Sequence, residues 1–237
     1  LQAIEQGLRL KEAGAYLLDI GGESTRPGAR PVSVQEELDR VLPVLEGLRD
    51  CGAALSVDTM KPQVMAAALA AGADMINDVK ALECKGALEV MAASKCGICL
   101  MHMRGEPRTM QEDPQYEDVF AEVSAYLDRR RTACIQAGIS PDRIVIDPGF
   151  GFGKTLEHNI ALFKKIRILA DMAPVLVGVS RKSMIGLITG RPVQDRMSGS
   201  VAAALLAAAQ GATILRVHDV AQTVDALKIW QALGAQK

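Results

Sequence analysis

Seven points along the sequence carry a polar or charged side chain where an apolar run ends: Asp19, Asp58, Asn77, His102, Asp147, the Ser180-Arg181-Lys182-Ser183 turn, and Arg216 with His218. They divide by chemistry. Asp58, Asn77 and Asp147 offer acceptors suited to the N–H edge of a planar heterocycle, whereas Arg26, Lys182, Arg216 and His218 suit a phosphate or another anion. Any one of them is equally well a capped strand or a solvated loop. Their recurrence at every run end argues for one shared site.

The densest stretch is residues 144–159, IVIDPGFGFGKTLEHN. Ile144 to Asp147 read as a short buried strand ending on a carboxylate, and Pro148 stops it. Gly149, Gly151 and Gly153, alternating with Phe150 and Phe152, form a close-approach loop. The run GFGFGK lacks the spacing of a phosphate-binding P-loop. The glycines are read instead as letting the loop pass near a flat ligand, with Phe152 as an apolar wall. Thr155 is a helix N-cap.

The elements that must position these residues alternate. Helices are predicted over 1–13, 34–50, 61–71, 86–95, 115–137, 156–170, 182–188, 198–210 and 219–233. Between them lie short apolar strands at 16–20, 53–58, 74–77, 97–101, 144–147, 175–179 and 213–217. Strands apolar on both faces, separated by helices, argue a parallel sheet of right-handed βαβ units. Two closures fit: an open doubly wound sheet, or a TIM (β/α)8 barrel. The barrel is favoured, because opening on a helix and counting seven strands matches eight units without the first strand. The expectation is one barrel domain over 1–237, N-terminally incomplete. In a barrel the strand ends converge on one mouth.

Composition sets bounds. A chain of 237 residues, 49% hydrophobic and 23% charged, can bury one sizeable core. A net charge of −1 gives no electrostatic footprint for nucleic acid or an anionic membrane, so neither partner is expected. No apolar run reaches the roughly 18 residues of a membrane span, and no signal peptide is visible. Five cysteines without a framework spacing suggest reduced thiols and a cytoplasmic location. Cys96 and Cys99 form a C-x-x-C, read as structural because Cys99 sits in the apolar strand GICLM and no second pair exists.

Beyond these readings, GGESTRPG (21–28), SVDT (56–59), IND (76–78), MHM (101–103), DPGFGFGK (147–154), SRKS (180–183) and RVHD (216–219) together resemble the dihydropteroate synthase family over essentially the whole chain. The resemblance implies a TIM barrel that joins 6-hydroxymethyl-7,8-dihydropterin diphosphate to p-aminobenzoate, with Mg2+ as cofactor and a homodimer as assembly. It implies catalytic roles for Asp58, Asp147 and Lys182. It implies substrate contacts for those three and for Thr25, Arg26, Asn77, Met101, Phe152, Ser183, Arg216 and His218. Asp147 would take the pterin 2-amino and N3 hydrogens, Asn77 another edge, and Lys182 the O4/N5 side. Asp58 would face the ring nitrogens. Arg216 would lie over the ring and, with His218, hold the diphosphate. Thr25 and Arg26 would complete the diphosphate and aminobenzoate sites, and Ser183 would receive the aminobenzoate carboxylate. Family members also carry an upstream loop like NVTPDSFSDGG, whose Asn binds Mg2+. This sequence has no such segment, so no metal ligand is assigned within it, and a chain starting at Leu1 is expected to be inactive alone.

Other residues receive plainer readings. His158 is expected at the surface, and His102 is either a ligand contact or a gap-filler. Arg104, Arg108 and the run Arg129-Arg130-Arg131 are read as solvated charges. The helix over 200–210 is apolar all round, so it should be buried on more than one side and lie near a subunit interface. Two rival functions are a pterin-binding methyltransferase domain and a non-catalytic barrel that binds pterin or a protein. The first would not need the ESTRPG loop or SRKS turn, and the second would be expected to have lost Lys182, Arg216 or His218.

Overall fold

The computed structural model describes residues 1–25, 28–106 and 109–234, so the expected roles of Arg26 and Arg108 fall outside the described residues. The chain begins α1 (Gln2–Glu12), β1 (Leu17–Gly21), α2 (Val34–Leu48), β2 (Ala54–Asp58), α3 (Pro62–Ala70) and β3 (Met75–Asp78). It continues α4 (Ala87–Ala92), β4 (Gly97–Met101), α5 (Val119–Gln136), β5 (Ile144–Asp147), α6 (Leu156–Phe163) and α7 (Ile166–Ala170). The last elements are β6 (Leu176–Val177), α8 (Ser183–Thr189), α9 (Met197–Ala209), β7 (Ile214–Leu215) and α10 (Val220–Leu233).

β1 to β5 pair in parallel and in chain order, β6 pairs in parallel with β7, and a parallel bridge from Ile146 to Val175 joins the two groups. A doubly wound sheet reverses its strand order at a switch point, and this one does not. Uninterrupted winding is that of a (β/α) barrel. Among the described residues β1 and β7 share no ladder, but Arg216 just after β7 donates from Nε to Asp19 Oδ2 on β1 at 2.7 Å.

The core has two kinds of layer. Outside the wall, Leu18, Leu55, Val57, Ile76, Ile98 and Leu100 pack on the first helices, and Ile146, Val175 and Val177 pack on the later ones. Inside it, Met75, Cys99 and Leu176 are buried against Leu17, Val145 and Ile214. Side chains alternate across a strand, so these inner residues define which neighbours two positions on also face inward.

Local chemistry sets several boundaries. The expected helix over 115–137 starts later, at Val119, because the Asp118 carboxylate caps it by accepting from the Phe120 and Ala121 N–H groups at 2.9 and 3.0 Å. The helix expected over 156–170 is two, α6 and α7, with Lys165 leaving helical geometry at φ −115° and ψ 15°. The strands expected over 175–179 and 213–217 each keep only a two-residue ladder. The helix expected to be buried on several sides, α9, turns Ser200, Ala204 and Ala207 inward but leaves Leu206 60% exposed. Its small residues allow close packing on one face only.

Candidate active site

Register decides which strand-end residues meet. Gly21 lies beside Asp58, Asp58 beside Asn77, Asn77 beside Cys99 and Cys99 beside Val145. Met101 lies beside Asp147 one step further along the same face. Because Cys99 and Val145 belong to the interior layer, Asp58, Asn77, Met101 and Asp147 share that inward face, at the strand C-termini. The same parity brings in Asp19 after Leu17, and Arg216 after Ile214. The result is a polar mouth over an apolar plug.

Asp19 is the node of that mouth. Its Oδ1 accepts from Ser56 Oγ at 2.7 Å, and its Oδ2 accepts from Asn77 Nδ2 at 3.2 Å and Arg216 Nε at 2.7 Å. Arg216 also reaches toward Asp58, with Nη2 3.6 Å from Oδ2. Burial, and then the charge of Asp19, push the Asp58 carboxyl up to about 8 against the pull of Arg216.

Across the mouth, burial raises the Asp147 carboxyl, opposed by the charge of Lys182 and by the Gly149 N–H, which donates to Oδ1 at 2.7 Å. Burial likewise lowers the Lys182 ammonium to about 8. Lys182 donates to the Phe150 carbonyl at 2.5 Å and lies 4.7 Å from the Phe152 ring centroid. Phe152 thus sits beside Lys182, whereas Phe150 is wholly buried in the outer core. Lys182 is aimed by its neighbour: Arg181 has left-handed backbone (φ 57°), its N–H donates to Ser200 Oγ at 2.9 Å, and its guanidinium pairs with Asp219. Arg196 Nη1 donates to the Arg181 and Lys182 carbonyls at 3.1 and 3.3 Å.

Two of the three glycines in this loop are required by the chain itself. At Gly149 (φ 68°) a Cβ would sit 1.9 Å from the His102 carbonyl, and at Gly153 (φ 64°) 2.4 Å from that of Arg104. These two admit the backbone that follows β4, whereas a Cβ on Gly151 (φ 79°) would meet only Lys182 Cδ at 3.4 Å. Lys154 locks the loop by donating to the Gly149 and Phe152 carbonyls, each at 3.0 Å. It also lies 3.0 Å from His102 Nδ1. A lysine ammonium only donates, so that ring nitrogen accepts. Burial, then Lys154 and Arg104, bring the His102 imidazole down to about 3, so His102 is neutral and buried.

Arg104 is no free surface charge: it pairs with Glu122 at 2.5 Å and stacks 4.0 Å from the Tyr116 centroid, while Tyr116 donates to the Gly153 carbonyl at 2.8 Å. Arg130 likewise donates to the carbonyls of Ala81 and Leu82 at 2.7 and 3.1 Å. His158 completes a reciprocal cap with Thr155, each accepting from the other's backbone N–H at 3.2 Å.

The remaining expected residues lie further out. Thr25 and Asp58 line a cavity of about 210 Å³ together with Glu23, Glu37 and Glu106. The half-buried Lys61 pairs with Glu23 at 2.6 Å and with Glu37. His218 Nδ1 lies 3.0 Å from Ser180 Oγ, and Ser183 is the exposed first residue of α8. Sequence reading named Asp19 as one strand end among many and assigned it no role. Only the register places it among Ser56, Asn77 and Arg216. Arg181, Arg196 and Asp219 were equally silent, since nothing local distinguishes a latch from a surface charge.

Three comparisons bear on this site. The sequence model of the pterin binding enzymes matches residues 1–218. The dihydropteroate synthase of Neisseria meningitidis serogroup B is 53% identical, covering 98% of this chain and 84% of its own length. The structure of Xanthomonas albilineans dihydropteroate synthase with 4-aminobenzoic acid is 54% identical with a TM-score of 0.94, covering 100% of this chain and 85% of that one. Another from the same organism, in complex with 7,8-dihydropteroate, is 51% identical with a TM-score of 0.91, covering 100% and 88%.

Proposed function

We infer the work of the mouth from one premise: the chain belongs to the pterin-binding enzymes, and within them to the dihydropteroate synthases, TIM-barrel transferases that condense 6-hydroxymethyl-7,8-dihydropterin diphosphate with p-aminobenzoate. The observation that carries the assignment to residues is the convergence of Asp58, Asn77, Asp147, Lys182 and Arg216 on the inner ends of β2, β3 and β5 to β7.

Asp147 accepts from the 2-amino and N3 hydrogens, and Lys182 donates to the O4/N5 side. Asn77 reads another edge, while Met101 and Phe152 line the slot. The bond from the pterin methylene to the diphosphate oxygen breaks first, its electron pair leaving with the diphosphate. The cation left behind is delocalised into the ring, where the carboxylates of Asp58 and Asp147 stabilise it. Arg216 and His218 hold the departing anion, with Thr25 and Arg26 completing the anion and aminobenzoate sites. Ser183 receives the aminobenzoate carboxylate. The arylamine nitrogen then bonds to the methylene carbon and loses its proton to solvent. No enzyme nucleophile takes part.

Mg2+ belongs to this proposal as a partner of the diphosphate. Among the described residues no group of three or more His, Cys, Asp or Glu side chains is placed to hold a metal ion. A homodimer is part of the reading, supported by exposed Leu187 and Ile188 on α8, Leu206 on α9 and Ile229 on α10. So is a cytoplasmic location, supported by five free cysteines. No helix among the described residues is long and apolar enough to cross a membrane.

One assay tests the assignment. With the family's upstream loop in place, pterin diphosphate and p-aminobenzoate with Mg2+ should release diphosphate, EDTA should stop release, and Asp147→Asn should weaken pterin binding by about tenfold or more. Unchanged pterin affinity and turnover in Asp147→Asn would remove Asp147 from the clamp.

A further inference from the structure

Lys61, the N-cap of α3, stands three residues after Asp58 and takes no part in the chemistry above. Its Nζ donates to Glu23 Oε2 at 2.6 Å and to Glu37 Oε2. Glu37, on α2, is 1% exposed, and its Oε1 has no hydrogen-bond partner among the described residues. The ammonium therefore compensates a buried carboxylate. Glu23 comes from elsewhere, the loop after β1, and its side chain is 12% exposed. Glu37 alone would neutralise Lys61, and a second acid beside it adds a repulsion that stability does not require. Burial pulls the Lys61 ammonium down, but its bonds to Glu23 and then Glu37 outweigh that and raise it, so the tie stays charged.

The second acid brings a loop with it. Gly21 lies beside Asp58 in register. The next residue is pressed onto α2: Arg40 Nη1 donates to the Gly22 carbonyl at 2.8 Å, and a Cβ on Gly22 would lie 2.9 Å from both Glu37 Cγ and Val41 Cγ2. Glu23 follows. Two residues beyond it, Thr25 shares with Asp58 the cavity of about 210 Å³ that Glu23 and Glu37 also line. On the other side Lys61 is fixed to the end of β2. Its N–H donates to Thr59 Oγ1 at 3.2 Å, and the Thr59 N–H donates to the Asn77 carbonyl at 3.1 Å. One ammonium thus spans from the strand end that carries Asp58 to the loop in which Thr25 and Arg26 lie. We propose that Lys61 is a positioning residue which, through Glu23, holds that loop where Thr25 and Arg26 meet the substrate diphosphate. The proposal rests on the pterin diphosphate reading above. An ion pair this far from solvent is little screened, and a loop held before the anion arrives loses less freedom on binding it.

The test is calorimetric binding, with Mg2+ and the family's upstream loop in place, of 6-hydroxymethyl-7,8-dihydropterin with and without its diphosphate. Leaving out p-aminobenzoate prevents condensation. In the wild-type protein the diphosphate should tighten binding by at least about tenfold. Glu23→Ala keeps the Lys61–Glu37 pair and frees only the loop. It should cut affinity for the diphosphate form by about fivefold or more, while affinity for the bare pterin stays within about twofold. Lys61→Met should act in the same way, and Lys61→Arg, which keeps the charge, should return the ratio to within about threefold of wild type. The double variant Glu23→Ala/Lys61→Met should show the loss once, not twice. A merely structural role would weaken both ligands alike. An unchanged ratio in Glu23→Ala overturns the proposal, as does a wild-type protein that gains nothing from the diphosphate. Should Lys61→Met fail to fold with Glu37 left unpaired, Glu23→Ala decides. Failure of the wild-type protein to bind either pterin would sink the pterin assignment itself, a result distinct from binding both with the ratio intact in Glu23→Ala.

Discussion

Asp58 and Lys182 are poised against each other. One is a carboxyl raised to about 8 and the other an ammonium lowered to about 8, both through burial. The scheme needs Asp58 ionised and Lys182 protonated. Ionisation of Asp58 gains as pH rises, and protonation of Lys182 is lost over the same range. We therefore expect kcat/KM to trace a narrow bell near pH 8, with apparent midpoints belonging to the pair. Lys182→Arg, which keeps its charge at every accessible pH, should flatten the alkaline limb while the acid limb stays. A bell unchanged in that variant would remove Lys182 from it. The residue types at this site were legible as a sequence: acceptors in one set, cations in another, each at a run end. Asp19 was not legible, because a carboxylate at a strand end looks the same whether it caps a loop or gathers Ser56, Asn77 and Arg216. Only the pairing of Asp19 with Ser56 across β1 and β2 tells the two apart.

The strand-to-helix loop after β5 shows how much of an element's purpose a sequence leaves open. Alternating glycines announce close approach, and at Gly149 and Gly153 the approaching object is the backbone after β4. A sequence cannot show which chain segment arrives from outside. Gly149→Ala should then cost about 3 kcal/mol, from a left-handed alanine and a Cβ forced onto the His102 carbonyl. Urea unfolding would measure it, and a loss under about 1 kcal/mol would mean the loop relaxes freely. Strand positions survived well because apolar runs flanked by helices have few alternatives. Boundaries set by a single side chain, such as the Asp118 cap before α5, escaped a reading based on periodicity.

At the level of the molecule, winding order distinguishes the barrel from the open sheet, and the first five strands settle it by pairing in chain order. Alternation alone left both architectures standing. The proposed dimer makes a claim of the same scale. Leu206→Glu on the exposed face of α9 should shift the protein toward monomer in sedimentation at micromolar concentration, with the fold intact by circular dichroism. A protein already monomeric before substitution would end that proposal. The latch on Arg181 has a wider consequence. Ser200, Asp219 and Arg196 steer a lysine in the mouth although they sit on later segments of the chain. Tolerance of the Lys182 ammonium to evolutionary drift is thus governed partly from the rim. A substitution at Arg196, which would look innocuous in a catalogue of ligand contacts, can retune what the mouth accepts.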